Sequence, residues 1–362
     1  MELIDELRNR VGPLDEVVMH AARERQKSLT KPQGSLGRLE DLSIRLAGIT
    51  GSPRPRFPRK AVLVFAADHG VAAEGVSAYP QAVTAQMVLN FLHGGAAINV
   101  LARRAGARVV VADLGVAADL PRHPELLSRK VGYGTRNVAS GPAMTREQAL
   151  EAIGTGAEIL RREAEKGVDL VATGEMGIGN TTAASAIVAA ITGRPVEDVT
   201  GKGTGVDEAG WKRKVEVIER ALELNRPKPA DPLDVLTKVG GYEIAGLVGV
   251  VLEAAARHLP VVVDGFISGA AALIAAEICP AVVPRLIAAH NSVERGHRIL
   301  LERMEMAPLL NLDLRLGEGT GAAIAMHLID DAVALLEEMA TFEEAGVSRR
   351  EEVEAAQDLG HA

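Results

Sequence analysis

The sequence is poor in aromatic residues and in cysteine. Five phenylalanines, three tyrosines and one tryptophan serve 362 residues, so the core has to be aliphatic. The same scarcity argues against a nucleic-acid surface built of stacking rings, and a net charge of −8 argues further against DNA or RNA. The single cysteine, Cys279, excludes an internal disulfide framework and fits a reducing compartment. The N-terminal stretch MELIDELRNRVGPLDE is charged and lacks the apolar centre of a signal peptide. No uninterrupted apolar run reaches the ~18 residues of a membrane helix. A soluble, cytoplasmic protein with no membrane partner is expected.

What is present is organised. The first ~55 residues read as helical, with Leu39, Leu42, Leu46 and Ile49 at helical spacing. GSPRPRFPRK (51–60) is too rich in proline to hold a regular element and reads as a linker. Five short, mainly apolar runs without polar alternation follow, at 61–68, 107–115, 168–175, 259–266 and 283–290. Strands that read apolar throughout are buried on both faces. Alanine-rich helical segments lie between them. This predicts an α/β fold: a Rossmann-like parallel sheet flanked by helices and joined by right-handed crossovers. The stretch 321–340 returns to helix, with Ile329, Val333 and Leu336 on one face, and a charged tail ends the chain. The expected division is 56–324 as the α/β domain, and 1–55 with 325–362 as a small helical lobe.

A parallel sheet of this kind puts its ligand at the loops after its strands. GEMGIGNTTAAS (174–185) nearly fits a P-loop: Gly174, Gly179 and Thr181 match the template, but Asn180 stands where the lysine belongs. Without that lysine a triphosphate is poorly served. The glycines and the helix start still suit a monophosphate, held by backbone N–H groups at 177–182. A dinucleotide fingerprint fails too, because Thr182 occupies its third glycine. GKGTGVDEAGWKRK (201–214) adds a second glycine loop with lysines beside it. Either loop also reads as a tight turn with no ligand. Glu318, in RLGEGTGAA, and Glu175 are carboxylates beside glycine at strand or helix ends; a helix-capping carboxylate reads the same way. Asp68 and the histidines show no metal-ligand spacing, so no metal and no cofactor are expected. Cys279 reads as a core residue rather than a nucleophile.

Taken together, KPQGSLGRLE (31–40), the segment 66–103, GEMGIGNTTAAS, GKGTGVDEAGWKRK, DGFISGAAALIA (264–275) and PLLNLDLRLGEGTGAA (308–323) resemble the nicotinate-nucleotide:dimethylbenzimidazole phosphoribosyltransferase family of cobalamin lower-ligand synthesis. Six motifs agree, in order, across almost the whole chain. Asn291 and Arg295 depart from the family pattern, where arginine and proline are expected. The resemblance implies transfer of the phosphoribosyl group from nicotinate mononucleotide to 5,6-dimethylbenzimidazole, and a homodimer. It implies Glu318 as general base and Glu175 near the ribose. Gly177, Ile178, Gly179, Asn180, Thr181, Thr182, Gly203 and Lys214 would hold the nucleotide, and Ser77, Tyr79 and Gln86 would line the base pocket. A P-loop-like kinase or triphosphatase, and a non-catalytic nucleotide sensor, are the rival readings.

Overall fold

The computed structural model describes residues 2–348. Three helices open the chain: α1 (Glu2–Arg10), α2 (Glu16–Ser28) and α3 (Arg38–Thr50). Strand β1 (Lys60–Ala67) leads to α4 (Ala82–Leu92) and α5 (Ala97–Arg104). Next come β2 (Ala107–Gly115), β3 (Leu126–Ser128), α6 (Arg146–Glu165) and β4 (Leu170–Met176). Five helices precede β5 (Val261–Val263): α7 (Asn180–Thr192), α8 (Val196–Val199), α9 (Glu208–Asn225), α10 (Pro232–Val239) and α11 (Tyr242–Ala256). The remaining elements are α12 (Phe266–Ile278), β6 (Leu286–Ala288), α13 (Arg295–Arg303), α14 (Thr320–Glu338) and α15 (Phe342–Ala345).

All six strands are parallel, in the order β3-β2-β1-β4-β5-β6. Each of the five apolar runs holds one strand. The extra strand, β3, lies in the polar segment HPELLSRK, where three residues give no alternation to read. β1 is buried along its entire length, as a central strand covered on both faces must be. The last two runs yield strands of only three residues. In one, Gly265 opens α12; in the other, Pro280 starts a 3₁₀ turn. Helices α6 and α11 pack almost backbone to backbone, because a side chain at Gly156 would strike the Gly246 carbonyl and one at Gly249 the Ile153 carbonyl. The stretch Ala82–Arg104 is, by composition, long and apolar enough to cross a membrane. A turn at 93–96 divides it into α4 and α5, which pack on the sheet.

The chain forms two compact units. The larger comprises residues up to Pro13 and Pro58–Met326. It includes α1, whose Ile4 and Leu7 are buried and which packs against α11, whereas the sequence reading assigns α1 to the small lobe. The smaller unit takes in Leu14–Phe57 and the described residues from His327 onward. Its core is Ala22, Ile44, Ala47 and Leu336. Within it the Arg25 guanidinium donates to the carbonyls of Leu336, Glu337 and Met339, which are orphaned at the end of α14. The charged tail beyond residue 348 lies outside the described residues.

Candidate functional site

In an open parallel sheet of this order, the strand connections leave β1 toward opposite sides. The crevice at the carboxyl ends of β1 and β4 is where such folds bind ligands. Glu175 pairs in register with Phe65 near those ends, followed by the GIG turn. Gly177 has no alternative here, since a side chain on it would run into the Ala67 carbonyl at the end of β1. Gly179 (φ +95°) is the N-cap of α7.

Most of the residues singled out in the sequence converge around this turn. The buried Lys214, on α9, donates to Thr181 Oγ1 at 2.7 Å. Gly203 sits against both: a Cβ on it would lie 2.8 Å from Thr181 Oγ1 and 3.1 Å from Lys214 Nζ. The Asn180 amide donates to Glu175 Oε2. Burial lowers the Lys214 ammonium to about 8, against the opposing charge of Glu294. Lys202, by contrast, points outward and pairs with Glu208 at 3.7 Å.

The backbone N–H groups expected to be free for an anion are largely engaged. Ile178 N–H donates to Thr84 Oγ1 (3.1 Å), Asn180 to the Gly177 carbonyl (3.1 Å) and Thr182 to the Gly179 carbonyl (3.0 Å). Gly203 N–H donates to the buried Glu294 carboxylate at 2.9 Å. Arg315, absent from the sequence reading, donates to the Gly203 carbonyl at 3.1 Å. Ser77 Oγ lies 3.2 Å from Thr204 Oγ1, which joins the 70s loop to the second glycine loop. Tyr79 and Gln86 are exposed.

Glu318 occupies an unusual backbone. It has φ +64° between Gly317 (φ +86°) and Gly319 (φ +94°), so three successive residues are left-handed. Such a conformation is uncommon outside glycine and persists where surrounding structure enforces it. Gly174 of β4 supplies part of that enforcement, because a Cβ there would meet the Glu318 carbonyl. The buried Glu318 carboxylate accepts from Ile98 N–H, at the start of α5, at 3.3 Å. A Cβ on Gly317 would meet Glu175 Oε1, so the corner and the end of β4 face each other closely.

A third acid completes the group. Asp264, at the end of β5, is buried and accepts from Gly319 N–H (3.1 Å) and Ala322 N–H (2.9 Å). The sequence marks its loop, DGFISGAAALIA (264–275), but gives Asp264 itself no role. The local signal was an aspartate between a strand and a glycine that opens a helix. Burial pushes Glu175 up to about 8, with the charges of Asp264, Glu243 and Glu318 adding and the Asn180 amide opposing. Burial likewise raises Asp264 to about 7, against its backbone donors. Burial also raises Glu318, opposed by Ile98 N–H. Close carboxylates of this kind do not all ionise near neutrality. Beneath the turn, His69 Nε2 and Glu243 Oε1 form a buried pair at 2.7 Å.

The acids carry a stability cost. Glu175 titrates in the folded protein at about 8 and in an unfolded chain near ~4.3. Its contribution is fully present below the unfolded value and is lost as pH rises toward the folded one. Glu175→Gln escapes that loss. The melting temperature of the variant, minus that of the wild type, should therefore grow by a few degrees between pH 5 and pH 8. Calorimetry showing a constant difference would mean that Glu175 is not held neutral by burial.

A family model described as a phosphoribosyltransferase matches residues 11–347. The chain belongs to this phosphoribosyltransferase family. It is 63% identical to the nicotinate-nucleotide–dimethylbenzimidazole phosphoribosyltransferase of Chloroflexus aggregans, over 97% of this chain and all of the relative. It is 56% identical to the protein of that name from Geobacter metallireducens, over 96% of this chain and 99% of the other. The crystal structure of the Thermus thermophilus protein of that name superposes with a TM-score of 0.88 at 51% identity, covering 93% of this chain and all of that one.

Proposed function

We propose that this protein moves the 5-phosphoribosyl group of nicotinate mononucleotide to 5,6-dimethylbenzimidazole, giving α-ribazole 5′-phosphate and nicotinate. The observation that carries the chemistry is a cation–hydroxyl–glycine cluster (Lys214, Thr181, Gly203) built on the buried Lys214, in the same crevice as the carboxylates of Glu175 and Glu318. The first group suits a monophosphate. The second suits proton abstraction and a developing cation.

The bond from C1′ to the pyridinium nitrogen breaks with its electrons returning to the ring. Nicotinate thus leaves with a neutral ring nitrogen and needs no general acid. A benzimidazole nitrogen bonds to C1′ from the opposite face, which gives the α configuration. The other ring nitrogen then gives up its proton, and Glu318 is the acceptor, a role worth ~10²–10⁴ in rate. Glu175 lies near the ribose, where a carboxylate opposes the positive charge at C1′. In the free protein burial holds Glu175 largely protonated at neutral pH. A cationic sugar beside it favours the ionised form. Asn180, in place of a P-loop lysine, holds Glu175 instead of a γ-phosphate. Ser77, Tyr79 and Gln86 are assigned to the base pocket.

Mixing nicotinate mononucleotide, dimethylbenzimidazole and the protein in the presence of a chelator should release nicotinate and form the α-riboside stoichiometrically. The leaving group's chemistry calls for no metal. No release with both substrates present, or ATP turnover that requires Mg²⁺, would reject the reading in favour of the sensor or the triphosphatase.

The acidic chain, with its single buried thiol, is assigned to the cytoplasm, without a nucleic-acid or membrane partner. The protein is assigned as a homodimer. Light scattering should give twice the monomer mass of 38.1 kDa, and a monomer mass across working concentrations would exclude it.

A further inference from the structure

We propose that Asp264 is the positioning residue for Glu318, acting as a remote cap that pins the left-handed corner Gly317–Gly319 to the start of α14. The assignment rests on the reading of Glu318 as general base. Helix α14 begins at Thr320, and the N–H groups of its first turn lack partners within the helix. The usual remedy is a side chain at the residue just before the helix. Gly319 stands there and has none. Asp264 supplies the carboxylate from another strand: Oδ2 accepts from Gly319 N–H at 3.1 Å and Oδ1 from Ala322 N–H at 2.9 Å. Its own backbone is tied to β4, since Asp264 N–H faces Thr173 Oγ1 at 3.3 Å. One buried carboxylate therefore bridges the sheet to the residue next to Glu318. The φ of +64° at Glu318 is the strain that this bridge holds in place.

Asp264 sits among other titratable groups. Burial first, and then the Glu318 charge, raise its carboxyl. The other groups facing Asp264 are Glu175 from β4 and His290 after β6, whose Nε2 lies 3.9 Å from Oδ1. His290 is held below its usual range by burial and contributes little positive charge at neutral pH.

The test is Asp264→Asn, alone and combined with Glu318→Gln. The amide nitrogen must face one of two N–H donors, so one of the two bonds is lost. Turnover should fall about 30-fold or more with the KM for nicotinate mononucleotide within about threefold, the pattern of a lost transition-state interaction. In the Glu318→Gln background, Asp264→Asn should change turnover by less than about threefold, since residues that act through one another are non-additive. A raised KM with turnover unchanged, or a multiplied loss in the double variant, would overturn the proposal. If Glu318→Gln alone keeps wild-type turnover, it is the general-base reading that fails. A crystal structure of Asp264→Asn then decides the positioning: a displaced Glu318 corner upholds it and an unmoved corner overturns it. Should Asp264→Asn fail to fold, Asp264→Thr, a smaller neutral acceptor, carries the same measurements.

Discussion

Glu318→Gln should lower turnover about 10²-fold or more while leaving nucleotide affinity within a few-fold. Glutamine keeps the size of the side chain and an oxygen that accepts from Ile98 N–H, the bond seen at 3.3 Å. It loses only the capacity to take a proton. The sequence left a rival account, in which Glu318 is a capping carboxylate. The geometry weighs against that account, because the backbone N–H groups at the start of α14 are held by Asp264 and not by Glu318. A cap would in any case be worth about 1 kcal/mol, and its loss would appear in the melting temperature rather than in turnover. The pH profile separates the two further. Burial raises the Glu318 carboxyl above its ordinary range, so activity should fall with pH at a point above the ~4.3 of a free glutamate. The base works deprotonated, so the loss lies on the acid side. Glu318→Gln should have no such limb. Wild-type turnover in this variant would remove the general-base role and leave Glu175, or water, as the acceptor.

The fold was legible because its signals are local. Runs such as AVLVFAAD carry their burial in consecutive residues, and β1 is buried throughout. The three-residue β3 carries no such signal, and pairing alone creates it. Glycine placement was also legible in part: Gly177, Gly179 and Gly203 mark turns that tolerate no side chain or need positive φ. What the sequence could not show is who satisfies whom. Thr84, from α4, takes the Ile178 N–H, and Glu294 takes the Gly203 N–H. Each lies far away in the chain, on an element that only folding brings near. The same holds for Asp264, 55 residues before the corner it binds. A helix start read in isolation offers free donors, and tertiary structure decides how many remain. The Glu294 contact is consequential, since a carboxylate already occupies an N–H assigned to phosphate. The fixed positive charge of Lys214 therefore has to carry more of the anion's recognition than a backbone cradle alone would leave to it.

That makes Lys214→Met the second large effect. Lys214 is fully buried, and its ammonium meets Thr181 Oγ1 at 2.7 Å. Methionine fills similar volume without charge. A hydrogen bond to a charged group is worth about 1.5–3 kcal/mol, so the Kd for nicotinate mononucleotide should rise about ten- to a hundredfold. Stability should move the other way. Burial holds the folded ammonium at about 8, below the ~10.4 of an unfolded lysine. The folded state thus binds fewer protons, and the cost is fully present below pH 8 and disappears as pH rises through the unfolded value. Methionine carries no such cost, so its melting temperature at pH 7 should equal or exceed that of the wild type. The dephosphorylated nucleoside supplies the control. Wild-type protein should bind it more than tenfold more weakly than the nucleotide, a loss of about 1.4 kcal/mol, and Lys214→Met should bind it as the wild type does. If calorimetric titration finds equal affinity for nucleoside and nucleotide in the wild type, the phosphate does not sit against Lys214. If the variant loses affinity for both to the same degree, Lys214 serves the shape of the crevice rather than the anion.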